Sequence, residues 1–332
     1  MDTISVTLAF NRQLTENEIK RIDKHRFIKH MFISKANLSN HVFKISYPKF
    51  KGENNCVLIH DSEIILECNK AFGEIIKEVR PKDNISIRIN RIDIPYTFYM
   101  ENGEKFDDYK NIFYYMAYSF NYKNQKKAKN IAISDFLKEQ VETILLSDSG
   151  KVKCGNYKIM IYNQYKKYLD VYSNEVGSIR KEHSDLPLRI RIEISKKINM
   201  NCMSLEKFME LDLYALFNNN FIDFALEYLF NKDAINKLNM KRYKIWIKAF
   251  GKVTSENNYK YIIQSNLKLG DNYKVLRDAL GICKTGKTLE GAVTSIRKEL
   301  KKYEVEKGFI IFDVDKKLKL IKKKLESYKI KK

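Results

Sequence analysis

The chain carries no cysteine or histidine motif of the kind that holds zinc. Its five cysteines (Cys56, Cys68, Cys154, Cys202 and Cys283) are scattered, and none belongs to a C-x-x-C pair. An odd, dispersed set suits a reducing compartment better than a disulfide scaffold. The five histidines form neither H-E-x-x-H nor H-x-H, so each reads as a surface or packing residue and a zinc centre is not expected. No apolar run approaches the roughly 18–20 residues of a membrane span. The opening "MDTISVTLAFN" has an acid at Asp2 and alternating polarity, unlike a signal peptide. Gly/Ser linkers and clear internal repeats are also missing. A cytoplasmic protein with no membrane partner is the expectation.

Basic residues are abundant. Lys and Arg number 62 against 41 Asp and Glu, a net charge of +21 over 332 residues. Such an excess favours polyanions, either nucleic acid or an anionic membrane surface, and carries no sequence specificity. The hydrophobic fraction of 44% is enough for a sizeable core in one large domain or two.

Alternation and helical spacing alternate irregularly along the chain. Ile4, Val6, Leu8 and Phe10 read as a half-buried strand, and 15–31 as a helix capped by Thr15. "HVFKISY" and "NCVLIH" read as strands joined by "PKFKGENN", where Pro48, Gly52, Asn54 and Asn55 supply turn chemistry. A helix over 62–79 stops before Pro81. The segment 84–94 alternates, placing Ile85, Ile87, Ile89, Arg91 and Asp93 on one face, with Pro95 closing it. Residues 107–122 and 134–146 read as helices. "YKIMIY" (157–162) alternates again, followed by a helical Tyr/Lys segment. In 187–197, Leu188, Ile190, Ile192 and Ile194 share one face; Arg189, Arg191, Glu193 and Ser195 share the other. Beyond 203 the pattern is helical, and nine lysines fall in the last seventeen residues. The expected class is α+β, an antiparallel sheet with helices over 1–200, followed by a mainly helical region over 201–332.

Three groups of residues invite chemistry. "GICKTGKT" (281–288) satisfies G-x-x-x-x-G-K-T, but helical spacing precedes it where a phosphate loop needs a strand. It reads as a turn between two helices, a helix-turn-helix or winged-helix-like element. Asp93 and Glu193 lie on separate strands. If those strands are neighbours, the carboxylates could hold Mg²⁺ or Mn²⁺ and polarise a phosphate; otherwise each pairs with the adjacent Arg91 or Arg191. Tyr162 ends the strand 157–163 on the face shared by Lys158 and Met160. A phenol needs activation to attack, and Lys166 and Lys167 are placed to favour the phenolate or hold DNA phosphates. The other tyrosines, at helical spacing from Tyr165, suit packing or base stacking.

The order of "MDTISVTL", "YPKFKGENN", "INRIDIPYTF", "YKIMIYNQYKKYLD" and "LRIRIEISKK" resembles the replication initiators of filamentous phages and rolling-circle plasmids. Those chains carry a P-K-x-x-x-G-x-N-like segment, an R-I-D strand, an I-Y-x-K segment and an R-x-E-x-R/K strand in that order. The counterparts here are Pro48, Lys49, Gly52 and Asn54; Arg91, Ile92 and Asp93; Ile161 and Tyr162; Arg191 and Glu193. The resemblance covers about residues 1–200 and extends weakly into 245–312.

It implies a Rep-type nickase fold and a metal-dependent tyrosine nickase of origin DNA over 1–200. Tyr162 would be the nucleophile, with Tyr165 as second choice, and would join the 5′ phosphate, leaving a 3′-OH primer. Asp93 and Glu193 would hold Mg²⁺ or Mn²⁺, while Lys49, Arg91, Lys166, Lys167, Arg189 and Arg191 contact DNA. Region 201–332 would bind duplex DNA. Plasmid or phage origin DNA, single- and double-stranded, would be the partner, with a host helicase and polymerase beside it, and the chain could form a homodimer. Two departures stand out. Gln164 replaces the lysine two positions after the tyrosine, and the His-hydrophobe-His motif of the wider superfamily is missing, so metal binding must rest on carboxylates. Two other readings stay open on the residues: an origin-binding initiator or repressor without covalent chemistry, and a phosphate-loop ATPase built on Lys287.

Overall fold

The computed structural model describes residues 1–52, 57–101, 103–123, 143–147, 157–172, 186–198, 200–253 and 258–330. It has a mixed α+β fold: an antiparallel sheet flanked by helices, and a helical C-terminal region. Two compact units are built from discontinuous stretches. The first comprises Met1–Thr97, Ser147–Ile222 and Lys329–Lys332; the second comprises Phe98–Leu146 and Asp223–Tyr328. The sequence suggested a single boundary near residue 200.

In the first unit, strands β1 (Thr3–Ala9), β2 (Ile28–Ile33), β3 (Asn40–Ser46), β4 (Ser86–Tyr99), β6 (Tyr157–Asn163) and β7 (Arg189–Lys197) are ordered β2-β3-β1-β4-β7-β6. A two-residue strand, β8 (Met203–Ser204), pairs with β4. Strand β5 (Thr143–Ser147) spans the division between the units. The sequence reading had a helix over 134–146. Its first part lies outside the described residues, and its end is this strand, whose β-branched Thr143 and Ile144 favour extended backbone.

Helix α1 (Glu16–Asp23) starts where expected, with Thr15 and Glu18 forming a reciprocal capping box. It stops well short of residue 31. After a turn in which His25 N donates to Ile22 O, the chain enters β2, because Ile28 and its neighbours find ladder partners on β3. "NCVLIH" is likewise not a strand: residues 58–60 are irregular and 53–56, with Asn54 and Asn55, lie outside the described residues. "YPKF" forms a short helix, α2 (Tyr47–Phe50), in which Pro48 occupies the first turn, where its missing N–H costs nothing. Helix α3 (Ser62–Val79) runs as expected, capped by Asp61 and ended ahead of Pro81. Phe72 of α3 meets Phe43 of β3 at 6.3 Å between ring centroids, so α3 covers the sheet face that also carries Val6.

Strand β4 differs from its expected form in two ways that matter for the opposite face. It continues through Pro95, which lies beyond the last β1 pair, Thr3 with Asp93, so that ladder asks no N–H of it. It also contains a bulge. Val6 pairs with Ile89 and Ser5 with Arg91, leaving Asn90 as the extra residue. The bulge reverses the alternation. Ile87 and Ile89 face one side; Arg91 and Asp93 face the other, beside Ser5 and Thr3. The single face drawn from 85 to 93 is therefore split.

In the second unit, α4 (Lys110–Lys123) and the helices α8 (Lys232–Phe250), α9 (Tyr259–Asn266), α10 (Tyr273–Cys283), α11 (Gly286–Lys307) and α12 (Val314–Glu326) follow the helical spacing. Three further helices lie among the described residues: α5 (Gln164–Tyr172), α6 (Leu205–Met209) and α7 (Leu213–Leu229). Trp246, Phe250, Ile263, Leu280, Ile296 and Leu300 form the core of this unit. Gly270 takes φ +92°, and a Cβ there would come within 2.9 Å of Tyr114, which reserves the position for glycine. "GICKTGKT" closes α10, crosses Lys284 and Thr285, and opens α11. The strand that a phosphate loop needs is replaced by a helix, as the sequence indicated. Among the described residues no helix is long and apolar enough to cross a membrane.

Candidate functional site

Residues from four strands meet on the polar face created by the β4 bulge. Thr3 Oγ1 donates to Asp93 Oδ2 at 2.7 Å, and Arg91 Nε donates to Asp93 Oδ1 at 2.7 Å. Arg91 Nη2 reaches Ser195 Oγ at 3.2 Å, which joins β4 to β7 across that face. On β7, Arg191 and Glu193 alternate with the buried Ile190, Ile192 and Ile194. On β6, Tyr162 pairs with Arg191 and Met160 with Glu193, so the phenol stands over the β7 carboxylate. Its hydroxyl donates to Glu193 Oε2 at 3.0 Å.

The competing sequence arrangements are thus divided between the acids. Asp93 pairs with its neighbour Arg91, while Glu193 takes the tyrosine instead of Arg191. Strands β4 and β7 are neighbours, and Asp93 lies close enough to Glu193 to influence its ionisation.

Around Tyr162 the face is closed to solvent. Tyr162 is 2% exposed, Arg191 2% and Glu193 4%. Burial raises the Glu193 carboxyl above its ordinary range, and the negative charges of Asp2 and Asp93 add to this, against Lys167 and the Tyr162 hydrogen bond. Burial likewise drives the Tyr162 phenol well up, opposed by Arg191 and reinforced by Glu193 and Asp2. Lys167 Nζ sits 4.1 Å from the centre of the Tyr162 ring, a cation–π distance. Among the described residues, Asp2 Oδ1 and Arg191 Nε and Nη2 are buried here without a hydrogen-bond partner.

The remaining candidates are spread more widely. Lys167 is exposed, and Tyr165 and Lys166 are half-buried on α5. Arg91 is 42% exposed at its side chain. Arg189 is half-buried at the start of β7. Lys49 is exposed on α2, where its carbonyl accepts from Arg26 Nε at 3.0 Å. Gln164, at the lysine position of the resembled motif, is 3% exposed. The sequence reading passed over Asp2 and Thr3. They are placed at this site by the pairing of β1 with β4, which no local pattern in the sequence specifies.

Among the described residues, no three His, Cys, Asp or Glu side chains group as a metal centre. Asp93 and Glu193 share a face, but Arg91 and Thr3 already occupy both oxygens of Asp93. No protein-family model, curated protein or solved structure matches this chain.

A stability prediction follows from Glu193. Its raised pKa means the folded chain holds a proton that the unfolded chain has released. In the window between the ordinary carboxylate range and the raised value, stability falls as pH rises. Glu193→Gln is expected to flatten this dependence. Urea unfolding of both chains across that window checks it; equal slopes would show that Glu193 does not titrate this way.

Proposed function

We propose that the chain is a replication initiator whose first unit cuts one strand of origin DNA by tyrosine transesterification. One observation carries the reading: Tyr162 Oη donates to Glu193 at 3.0 Å on a sheet face that also holds Arg191 and Asp93. In the reaction, Glu193 accepts the phenol proton and Tyr162 Oη bonds to phosphorus. The bond from phosphorus to the 3′ oxygen breaks, and that oxygen takes a proton to become the 3′-OH. The phosphodiester energy stays in the phosphotyrosine link, so the reverse reaction rejoins the strand without ATP. Its raised pKa makes Glu193 a stronger base toward the phenol proton than an ordinary carboxylate, and the positive charge of Arg191 favours the phenolate.

Mg²⁺ or Mn²⁺ belongs to this proposal as an ion that polarises the phosphate when bound. Holding it between Asp93 and Glu193 requires Arg91 to release Asp93. In the second unit, α10 and α11, joined by two residues, are the proposed duplex-reading pair. The Rep-type fold and the homodimer are parts of the same proposal.

A second reading, an origin-binding initiator without covalent chemistry, is favoured by the 2% exposure of Tyr162, which leaves no path for a phosphate unless the face opens. The test is direct. The chain is incubated with supercoiled origin DNA and Mg²⁺ or Mn²⁺, denatured and digested, and the DNA-linked peptide is mapped by mass spectrometry. Phosphotyrosine at residue 162 is the expected result. Specific DNA binding with no adduct under either metal would select the second reading.

A further inference from the structure

Helix α12 raises a question that the Tyr162 site does not answer. Its apolar stripe, Val314, Leu318, Ile321 and Leu325, is buried. Lys316, Lys319, Lys322, Lys323 and Lys324 are exposed. Among the described residues none of the five has a carboxylate partner; the ion pairs of this helix fall to Lys317, which bridges Glu101 at 3.0 Å and Glu104 at 3.1 Å.

Such an arrangement works against the helix. Lys316 and Lys319, Lys319 and Lys322, and Lys319 and Lys323 stand three or four residues apart, and like charges at that spacing cost about 0.2–0.5 kcal/mol per pair. The helix dipole compensates at the C-terminal end, where Lys322, Lys323 and Lys324 lie. In the first turn Asp315 stands four residues before Lys319, and Glu326 follows Lys322 and Lys323 by four and three, which offsets part of the repulsion. Five exposed lysines against those two acids still leave the outer surface of the helix strongly positive.

We infer that the exposed lysine face of α12 is a docking surface for the phosphate backbone of nucleic acid, independent of sequence. The buried stripe decides between the two polyanions that the net charge allows. A helix that binds a bilayer inserts its apolar face, and here that face is already covered by the fold. Phosphates need only the charge, and neutralising them relieves the repulsion along the helix. The rise of about 1.5 Å per residue puts Lys316 and Lys323 about 10 Å apart along the axis, within reach of successive phosphates.

This inference does not depend on catalysis, so it is tested in a Tyr162→Phe background, where nicking and binding are separated. Binding to duplex DNA of unrelated sequence is measured by fluorescence anisotropy across a salt series, for the chain with all five lysines intact and with all five changed to Gln. A charge-matched control changes Lys20, Lys29, Lys70, Lys82 and Lys260, which are exposed and scattered. Removal of five phosphate contacts lowers the slope of log K against log salt by about 4 to 5. The α12 variant is expected to lose that much and the control far less. Equal losses would make the effect one of net charge and overturn the assignment, as would an unchanged slope. Binding to vesicles of anionic lipid that is stronger than to DNA and lost in the α12 variant would also overturn it, in favour of a membrane surface. Circular dichroism of each variant confirms that α12 still folds.

Discussion

Tyr162→Phe is expected to abolish the covalent adduct with origin DNA and to lower nicking by about 10⁴-fold or more, the scale on which loss of a nucleophile acts. The ring and its packing stay, so the loss isolates the hydroxyl. Glu193→Gln should retain the nucleophile and lose its base, a fall of about 10²–10⁴-fold. The pH profile distinguishes base from bystander. With Glu193 present, nicking rises with pH through the raised carboxyl range, because only the ionised form accepts the phenol proton. In Glu193→Gln that rise should disappear. Tyr162→Phe also removes a hydrogen bond from a buried carboxylate, at a cost of about 1–3 kcal/mol, so its folded state must be verified by thermal unfolding before the activity is compared. Lys287→Ala should still form the adduct at Tyr162, since Lys287 is exposed in the first turn of α11 and has no phosphate loop around it; because α11 belongs to the proposed duplex-reading pair, any loss should fall on DNA binding. An adduct that survives Tyr162→Phe would move the nucleophile elsewhere, with Tyr165 the next to test.

The convergence of Tyr162 with Glu193 was legible because both lie in short, cleanly alternating strands. The alternation assigns a face, and neighbouring strands share it. Asp93 was harder. Its face depends on the bulge at Asn90, and no local pattern in "ISIRINRIDI" distinguishes a bulged strand from a straight one; only pairing with β1 reveals the extra residue. The strand at 28–33 was hidden for a related reason. "RFIKHM" continues the helical spacing of α1, and tertiary pairing with β3 overrides it. The closed state of the Tyr162 face was not legible at all. Arg191, Glu193 and Ser195 alternate with isoleucines as a solvent-facing row would, and nothing in that alternation marks them as buried. In the second unit the helices followed their spacing closely, since each buries one stripe. There the sequence left out one residue of consequence, Asp271, whose partners are scattered over 242–268.

Asp271→Ala is expected to destabilise the second unit by about 3–5 kcal/mol, the cost of breaking a buried ion pair from one side. Asp271 is fully buried and accepts four hydrogen bonds: from Arg242 Nε at 2.6 Å and Nη2 at 2.7 Å, from Trp246 Nε1 at 2.8 Å and from the Lys268 amide at 2.8 Å. Alanine leaves a guanidinium that is 6% exposed without its counter-charge, and strands an indole N–H and a backbone N–H. Each uncompensated donor adds to the loss. Asp271→Asn keeps an acceptor but removes the charge, and its loss should be smaller. The chain supplies its own reporter, because Trp246 is the only tryptophan and bonds directly to Asp271. Denaturant unfolding followed by its fluorescence should show a lowered midpoint for Asp271→Ala. The Tyr162 environment lies in the other compact unit, so the adduct-forming chemistry provides an independent readout. A midpoint shift of Trp246 fluorescence below about 1 kcal/mol, the scale of one ordinary hydrogen bond, would show that the surrounding helices hold this unit together without the buried aspartate.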